Sequence, residues 1–153
     1  MTKLSILTPV WNQEDLVIKG LDSIPRRDDI EVIVRDDGST DNTLANLRKY
    51  KEEHPELRMR VYSNGKNLGV AATANKLIAS AKGEFFHFLM SDDYLLTDKY
   101  SKMVDSLYET QADVVCLNLI ENSGLEYDLN ETNGNYYCAQ ACRFIRREFI
   151  SGI

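Results

Sequence analysis

Four short stretches carry most of the chemically capable side chains of this sequence: Thr8-Pro9-Val10-Trp11-Asn12, Asp36-Asp37-Gly38-Ser39, Asn67-Leu68-Gly69 and Ser91-Asp92-Asp93. The adjacent carboxylates of Asp92 and Asp93 repel each other and lose hydration unless a cation lies close by. Hard divalent ions such as Mg²⁺ or Mn²⁺ take oxygen ligands and keep positions open for substrate phosphates. The same pair also suits a plain helix-entry turn, where the helix dipole favours acids. Asp36 and Asp37 can accept from a nucleobase N–H or from ribose hydroxyls. Alternatively, Gly38 and Ser39 make this stretch a polar turn that caps the next helix. Trp11, the single tryptophan, suits stacking on a base, worth about 1–3 kcal/mol, or else plugging the rim of the core. Asn67-Leu68-Gly69 precedes an alanine-rich run and offers backbone N–H groups. His87 lies inside an apolar run and reads as a core histidine, and His54 has no assigned role. The G-x-S-x-G, P-loop and G-x-G-x-x-G patterns are absent, which removes support for a serine hydrolase, a Walker NTPase or a simple dinucleotide binder.

The elements that must position these clusters alternate strand and helix. Leu4 to Leu7 is a short apolar strand closed by Thr8-Pro9. Asn12 can cap a helix that carries Leu16, Val17, Gly20, Leu21 and Ile24 on one face and ends at Pro25. Ile30 to Val34 predicts a second strand, followed by a helix with Leu44, Leu47 and Tyr50 inward. Met59 to Tyr62 predicts a third, ending at the turn Ser63-Asn64-Gly65. Val70, Ala71, Ala74, Leu77, Ile78 and Ala81 form the clearest helical stripe, with Gly83 as its C-terminal cap. Phe85 to Met90 is a continuous apolar run, as in strands covered on both faces. A helix bearing Tyr100, Met103, Val104, Leu107 and Tyr108 follows, then a strand from Val114 to Leu119. The alternation predicts an α/β fold, a largely parallel sheet with helices on both faces. Each chemical cluster follows a strand, so all four converge on the carboxyl rim where such sheets bind ligands. Further on, Glu121 to Asn135 reads as a polar loop or ragged hairpin, Tyr136 to Ile145 as a last strand, and Arg146 to Ile150 as the start of a helix.

The 153 residues fit one domain, and 43% hydrophobic with 27% charged content is ordinary for a soluble protein. No apolar run approaches the roughly 20 residues of a membrane span. The N-terminus has no secretory pattern, which places the protein in the cytoplasm. Net charge is −6, from 24 acidic and 18 basic residues, which argues against nucleic acid as a partner. A single nucleotide stays compatible, because a metal ion reconciles acidic side chains with phosphate. The three cysteines, Cys116, Cys138 and Cys142, suit a reducing compartment, and no second ligand pair accompanies Cys138 and Cys142 for a metal. The sequon at Asn130 carries no meaning without secretion.

Taken in order, Leu-Ser-Ile-Leu-Thr-Pro-Val-Trp-Asn, Asp-Asp-Gly-Ser-Thr-Asp, Asn-Leu-Gly and Ser-Asp-Asp resemble family 2 inverting glycosyltransferases over residues 3 to about 120. The resemblance implies a GT-A fold, a Rossmann-like nucleotide-binding α/β sandwich. It implies one domain over residues 1–153, with 1–120 binding the nucleotide sugar and 121–153 opening an incomplete acceptor-side region. It sets the donor nucleotide against Thr8, Pro9, Trp11, Asn12, Asp36, Asp37, Asn67, Gly69 and Asp92, with Trp11 at the family's aromatic position. A divalent metal, Mn²⁺ or Mg²⁺, would sit on Asp93 with Asp92. Two positions depart from the family pattern. Met90 stands where members often carry an acid, and Thr97 where a proline usually follows, here as a helix N-cap. The family's general base comes from an acidic motif expected beyond Ile153, so this chain is expected to bind donor while lacking the base. The implied partners are a nucleotide sugar, UDP-linked by family habit, and a glycan or lipid-linked acceptor in cell-surface glycan synthesis. Peripheral membrane association of the full-length protein is compatible with that role. The rival classes are a sugar nucleotidyltransferase, whose Gly-rich basic loop is missing from Pro9 to Asp15, and a non-catalytic nucleotide-sugar-binding domain.

Overall fold

A computed structural model describes residues 2–116, 119–120, 126–127 and 143–148. Strands β1 (Leu4–Val10), β2 (Ile30–Asp36), β3 (Met59–Ser63) and β4 (Phe85–Phe88) are all parallel neighbours in the order β3-β2-β1-β4. Their β-branched and aromatic residues fit a pleated surface covered from both sides. Helices α1 (Val17–Asp22), α2 (Thr43–Glu53) and α4 (Thr97–Ser106) alternate with these strands, as does α3 (Val70–Ser80). Val17, Leu21, Leu47, Tyr50, Tyr100 and Val104 pack with Leu4, Ile6 and Val10 into one core. Leu77 and Ala81, beside Ala74 and Ile78, pack with Leu7, Ile33, Phe86 and Phe88 into a second core on the other face. Helices therefore cover both faces of a mostly parallel sheet, as the alternation predicts. His87 is buried in β4, its Nδ1 2.7 Å from the Tyr100 hydroxyl, a core histidine as read from sequence.

The far edge combines two later strands. β5 (Val114–Cys116) lies outermost, and β8 (Arg143–Arg146) is inserted antiparallel between it and β4. The pair β6 (Leu119–Ile120) and β7 (Glu126–Tyr127) forms a separate antiparallel ladder. The predicted strand to Leu119 thus stops at Cys116 for this sheet, and residues 119–120 serve the hairpin instead. Of the strand expected over 136–145, the part at 143–145 is present, and it runs on to Arg146, which was expected to open a helix. Arg147 and Glu148 have helical backbone. Asn130, Cys138 and Cys142, with all of 121–125, 128–142 and 149–153, lie outside the described residues. Among the described residues no helix is long and apolar enough to cross a membrane.

Four local expectations are corrected. β1 runs on through Thr8 and Pro9 to Val10, paired with Val34, Arg35 and Asp36. Proline is tolerated there because the β1–β4 pairing ends at Leu7 and Phe88, so its missing N–H faces no strand partner. Asn12 does not cap α1. It adopts φ 51°, and the helix starts at Val17 after Leu16, with no side-chain cap. Gly83 does not cap α3, which closes at Ala81. It lies against β1 instead, where an added Cβ would sit 2.6 Å from the Ser5 nitrogen. Thr97 is the first residue of α4, not its N-cap, and its hydroxyl donates to the Ser23 carbonyl at 2.9 Å.

Candidate functional site

Because β1 to β4 are parallel, their carboxyl ends open on one edge, and each of the four clusters leaves from there. The loops are sewn together by side chains. Asn12 N–H donates to Ser39 Oγ at 2.9 Å, and Asn12 Oδ1 accepts from Thr40 N–H at 2.8 Å. Gln13 N–H donates to Thr43 Oγ1 at 2.9 Å, and Glu14 Oε2 accepts from Asn42 N–H at 2.7 Å. The segment after β1 is thereby clasped to the entry of α2, which uses the Asn12 side chain that would otherwise cap α1.

Asp36 and Asp37 are both buried, within a polar turn of the kind considered from sequence. Asp36 accepts from the Gly38 and Ser39 N–H groups at 3.2 and 3.1 Å and from Ser63 Oγ at 3.0 Å. Its carboxylate knots the turn that leaves β2 for α2 and ties it to Ser63 at the end of β3. Asp37 Oδ1 accepts from Asn64 Nδ2 and Leu68 N–H, both at 2.9 Å, and Oδ2 accepts from Gly69 N–H at 2.9 Å. Burial pushes its carboxyl up, but the bonds from Asn64, Leu68, Thr73 and Gly69 outweigh that and hold it below the ordinary carboxylate value. Gly38 makes the close approach possible. Its φ is +75°, and an added Cβ would lie 2.7 Å from the Asn67 nitrogen.

These contacts frame a cleft of about 230 Å³ lined by Pro9, Val10, Trp11, Asp37, Asn67, Gly69, Val70, Thr73, Met90 and Ser91. Five of the residues picked out from sequence meet there: Pro9, Trp11, Asp37, Asn67 and Gly69. Trp11 is 51% exposed, so it does not plug the core and its ring is open to a ligand. Asn12 and Asp36 do not line the cleft; their side chains bond the loops beside it. Thr8 is buried on the α1/α2/α4 side with Ile6 and Val10, as strand alternation requires, and its hydroxyl has no hydrogen-bond partner among the described residues.

Asp92 and Asp93 follow Ser91 directly, Asp92 exposed and Asp93 half-buried. Asp93 N–H donates to the Met90 carbonyl at 3.1 Å and closes a turn. Burial first, and the Asp92 charge second, push the Asp93 carboxyl above its ordinary value. Among the described residues no positively charged side chain contributes to that shift. Among the described residues no group of three or more His, Cys, Asp or Glu side chains could hold a metal. An aspartate pair without a cationic partner fits a Mg²⁺- or Mn²⁺-type ion held by one or two carboxylates and completed by substrate phosphates.

Sequence reasoning missed Asn64 and Thr73. Asn64 Nδ2 bonds both Asp37 and Thr73 Oγ1, the latter at 2.7 Å, and its Oδ1 accepts from Lys76 at 3.1 Å. Asn64 looked like a turn residue only. Thr73 breaks the apolar stripe of α3 one turn into the helix yet is fully buried, a mismatch that was visible in the sequence. Val10, Val70, Met90 and Ser91 also line the cleft without having been singled out as ligand contacts.

Known proteins share this architecture. Residues 5–143 match the family described as Glycosyl transferase family 2. A poly(ribitol-phosphate) beta-glucosyltransferase of Bacillus spizizenii is 36% identical over 118 residues, 73% of this chain and 18% of that protein. The crystal structure of S. aureus TarS 1–349 in complex with UDP superposes with a TM-score of 0.82 at 24% identity, over 99% of this chain and 48% of that one. A mannosyltransferase from Pyrobaculum calidifontis, in complex with GDP-Man and Mn²⁺, gives a TM-score of 0.69 at 25% identity over 78% of this chain and 36% of that one. This chain therefore spans less than half of each of these relatives. Its mixed, mostly parallel sheet has the GT-A arrangement. With the family match running through most of the sequence and a relative 36% identical over 73% of it, the chain belongs to glycosyl transferase family 2.

Proposed function

We propose that this chain is the donor-binding part of an enzyme that transfers a sugar, with inversion, from a nucleotide diphosphate sugar to an acceptor hydroxyl. The carrying observation is a single cleft lined by the exposed Trp11 ring and by Ser91, the residue that leads into Asp92-Asp93. Trp11 stacks on the nucleobase, while Asp37 and the Asn67–Gly69 turn shape the pocket around base and ribose. Asp92 faces the ribose, and Asp93, with Asp92, holds a Mn²⁺ or Mg²⁺ ion. When bound, that ion supplies positive charge to the departing diphosphate. Ser91 and Met90 wall the cleft next to this pair.

On this reading a carboxylate beyond Ile153 deprotonates the acceptor, and residues 1–153 bind donor without transferring it. UDP is the nucleotide best supported, since the TarS structure holds UDP. The acceptor is a glycan or lipid-linked acceptor of the cell surface, a reading supported by a Campylobacter jejuni relative named as a GalNAc(5)-diNAcBac-PP-undecaprenol beta-1,3-glucosyltransferase. The site faces the cytoplasm, where nucleotide sugars are made, and the full-length protein associates peripherally with the membrane.

Calorimetric titration of UDP with Mn²⁺ and then with EDTA tests the core of the proposal. Trp11→Ala is expected to weaken UDP about 5- to 150-fold, the equivalent of about 1–3 kcal/mol of stacking. Asp93→Ala is expected to remove the difference between Mn²⁺ and EDTA. UDP affinity untouched by both substitutions would overturn the assignment.

A further inference from the structure

The acidic turn Asp92-Asp93 makes few bonds of its own. Among the described residues, the backbone-to-backbone bonds made by 89–95 are Leu89 N–H to the Leu7 carbonyl and Asp93 N–H to the Met90 carbonyl. What holds the segment is α1, contacted residue after residue. An added Cβ on Gly20 would lie 2.8 Å from the Asp93 carbonyl oxygen, so the helix and the turn touch backbone to backbone. The Tyr94 ring lies 4.4 Å from the Lys19 ammonium. Ser23 Oγ donates to the Gly20 carbonyl at 2.6 Å and accepts from Leu95 N–H at 2.8 Å. The Ser23 carbonyl accepts the Thr97 hydroxyl at 2.9 Å.

From these contacts we infer that the C-terminal turn of α1 is the seat of the acidic turn, with Gly20 and Ser23 as positioning residues for the Asp92 and Asp93 carboxylates. The inference rests on the donor-site reading above and deepens it. α1 itself is anchored independently. Val17, Gly20 and Leu21 are buried, Asp22 accepts from the Tyr50 hydroxyl at 2.8 Å, and Arg26 donates to the Leu21 carbonyl at 3.1 Å. The helix also begins a few residues after Trp11, so one short element links the base-stacking side of the cleft to its acidic side. A carboxylate pair must be placed to within about half an ångström to share an ion with a diphosphate. A loop with so few bonds of its own obtains that precision from its support.

The test uses the whole 153-residue chain and reads the Mn²⁺ enhancement, the ratio of UDP dissociation constants in EDTA and in Mn²⁺. Direct Mn²⁺ retention is followed in parallel by electron paramagnetic resonance. Gly20→Ala and Ser23→Ala are expected to cut the enhancement by about tenfold or more, as misplacement of a charged pair does, with affinity in EDTA reduced by much less, since Trp11 and Asp37 stay in place while Asp92 shifts at the ribose. Ser23→Thr, which keeps the hydroxyl, is expected to preserve it. Thr97→Val removes a single bond at the far end of the seat and serves if Gly20→Ala fails to fold. Asp93→Ala separates the two levels of the claim. If it abolishes the enhancement while Gly20→Ala, Ser23→Ala and Thr97→Val leave it intact, the seat is refuted and the donor site stands. If Asp93→Ala leaves the enhancement in place, the donor-site assignment and the seat fall together.

Discussion

Replacing Asp37 with asparagine alters one atom of a buried side chain, yet the structure assigns it a large cost. Both carboxylate oxygens face donors. Oδ1 receives Asn64 Nδ2 and Leu68 N–H, and Oδ2 receives Gly69 N–H, all at 2.9 Å. Whichever oxygen becomes the amide nitrogen, a donor then meets a donor. The least harmful rotamer puts NH₂ toward Gly69, which leaves that N–H unpaired and turns two charge-assisted bonds into neutral ones. Losing one bond to a charged acceptor, at about 1.5–3 kcal/mol, and weakening two others by about 1 kcal/mol each gives a total of about 3–5 kcal/mol. Set against a domain stability of about 5–15 kcal/mol, this leaves a protein that is folded but markedly easier to unfold. Urea denaturation of both proteins at pH 7 measures the gap. The pH dependence gives a second check. Because the native carboxyl is held below its ordinary value, its stabilisation is complete above the unfolded pKa of about 3.9 and is lost as the pH falls through the lower native value. The gap between wild type and Asp37→Asn therefore stays constant from neutral pH to mild acid and narrows below that. A gap under about 1 kcal/mol at pH 7, or one that widens in acid, would refute the clamp that Asp37 is assigned here.

Two other substitutions act on neighbouring features. Gly38→Ala places a Cβ 2.7 Å from the Asn67 nitrogen at a φ of +75°, so thermal melts are expected to show a loss of about 1–3 kcal/mol or more, and UDP affinity falls with it. Asp93→Asn has the opposite effect on the free protein. Burial and Asp92 raise the native carboxyl above its unfolded value, so the ionised group opposes folding at neutral pH, and this penalty fades as the pH falls through the raised value. The melting temperature of Asp93→Asn is expected to equal or exceed that of wild type at pH 7, and the advantage is expected to disappear in acid. A melting temperature lowered at pH 7 would contradict the lack of a cationic partner.

The strand–helix alternation and the convergence of four clusters on one rim were legible in the amino-acid sequence. Apolar periodicity records which face of each element is buried, and chain order along a parallel sheet sends every strand's carboxyl end the same way. For that reason Pro9, Trp11, Asp37, Asn67 and Gly69 were found from sequence and meet in the cleft. The partners of individual polar groups were not legible. Asn12 resembled a helix cap, but its side chain is used by Thr40, 28 residues away. Thr97 also resembled a cap, but its hydroxyl reaches Ser23, 74 residues away. Asp36 resembled a ligand contact, and its carboxylate is bonded by the turn after β2 and by Ser63 at the end of β3. The insertion of β8 between β4 and β5 left no local trace either, since strand order depends on which edges remain open once the first four strands have assembled. A hydrogen bond has no period along the chain. Tertiary packing alone decided whether a given carboxylate or hydroxyl on this rim serves a ligand or serves the fold.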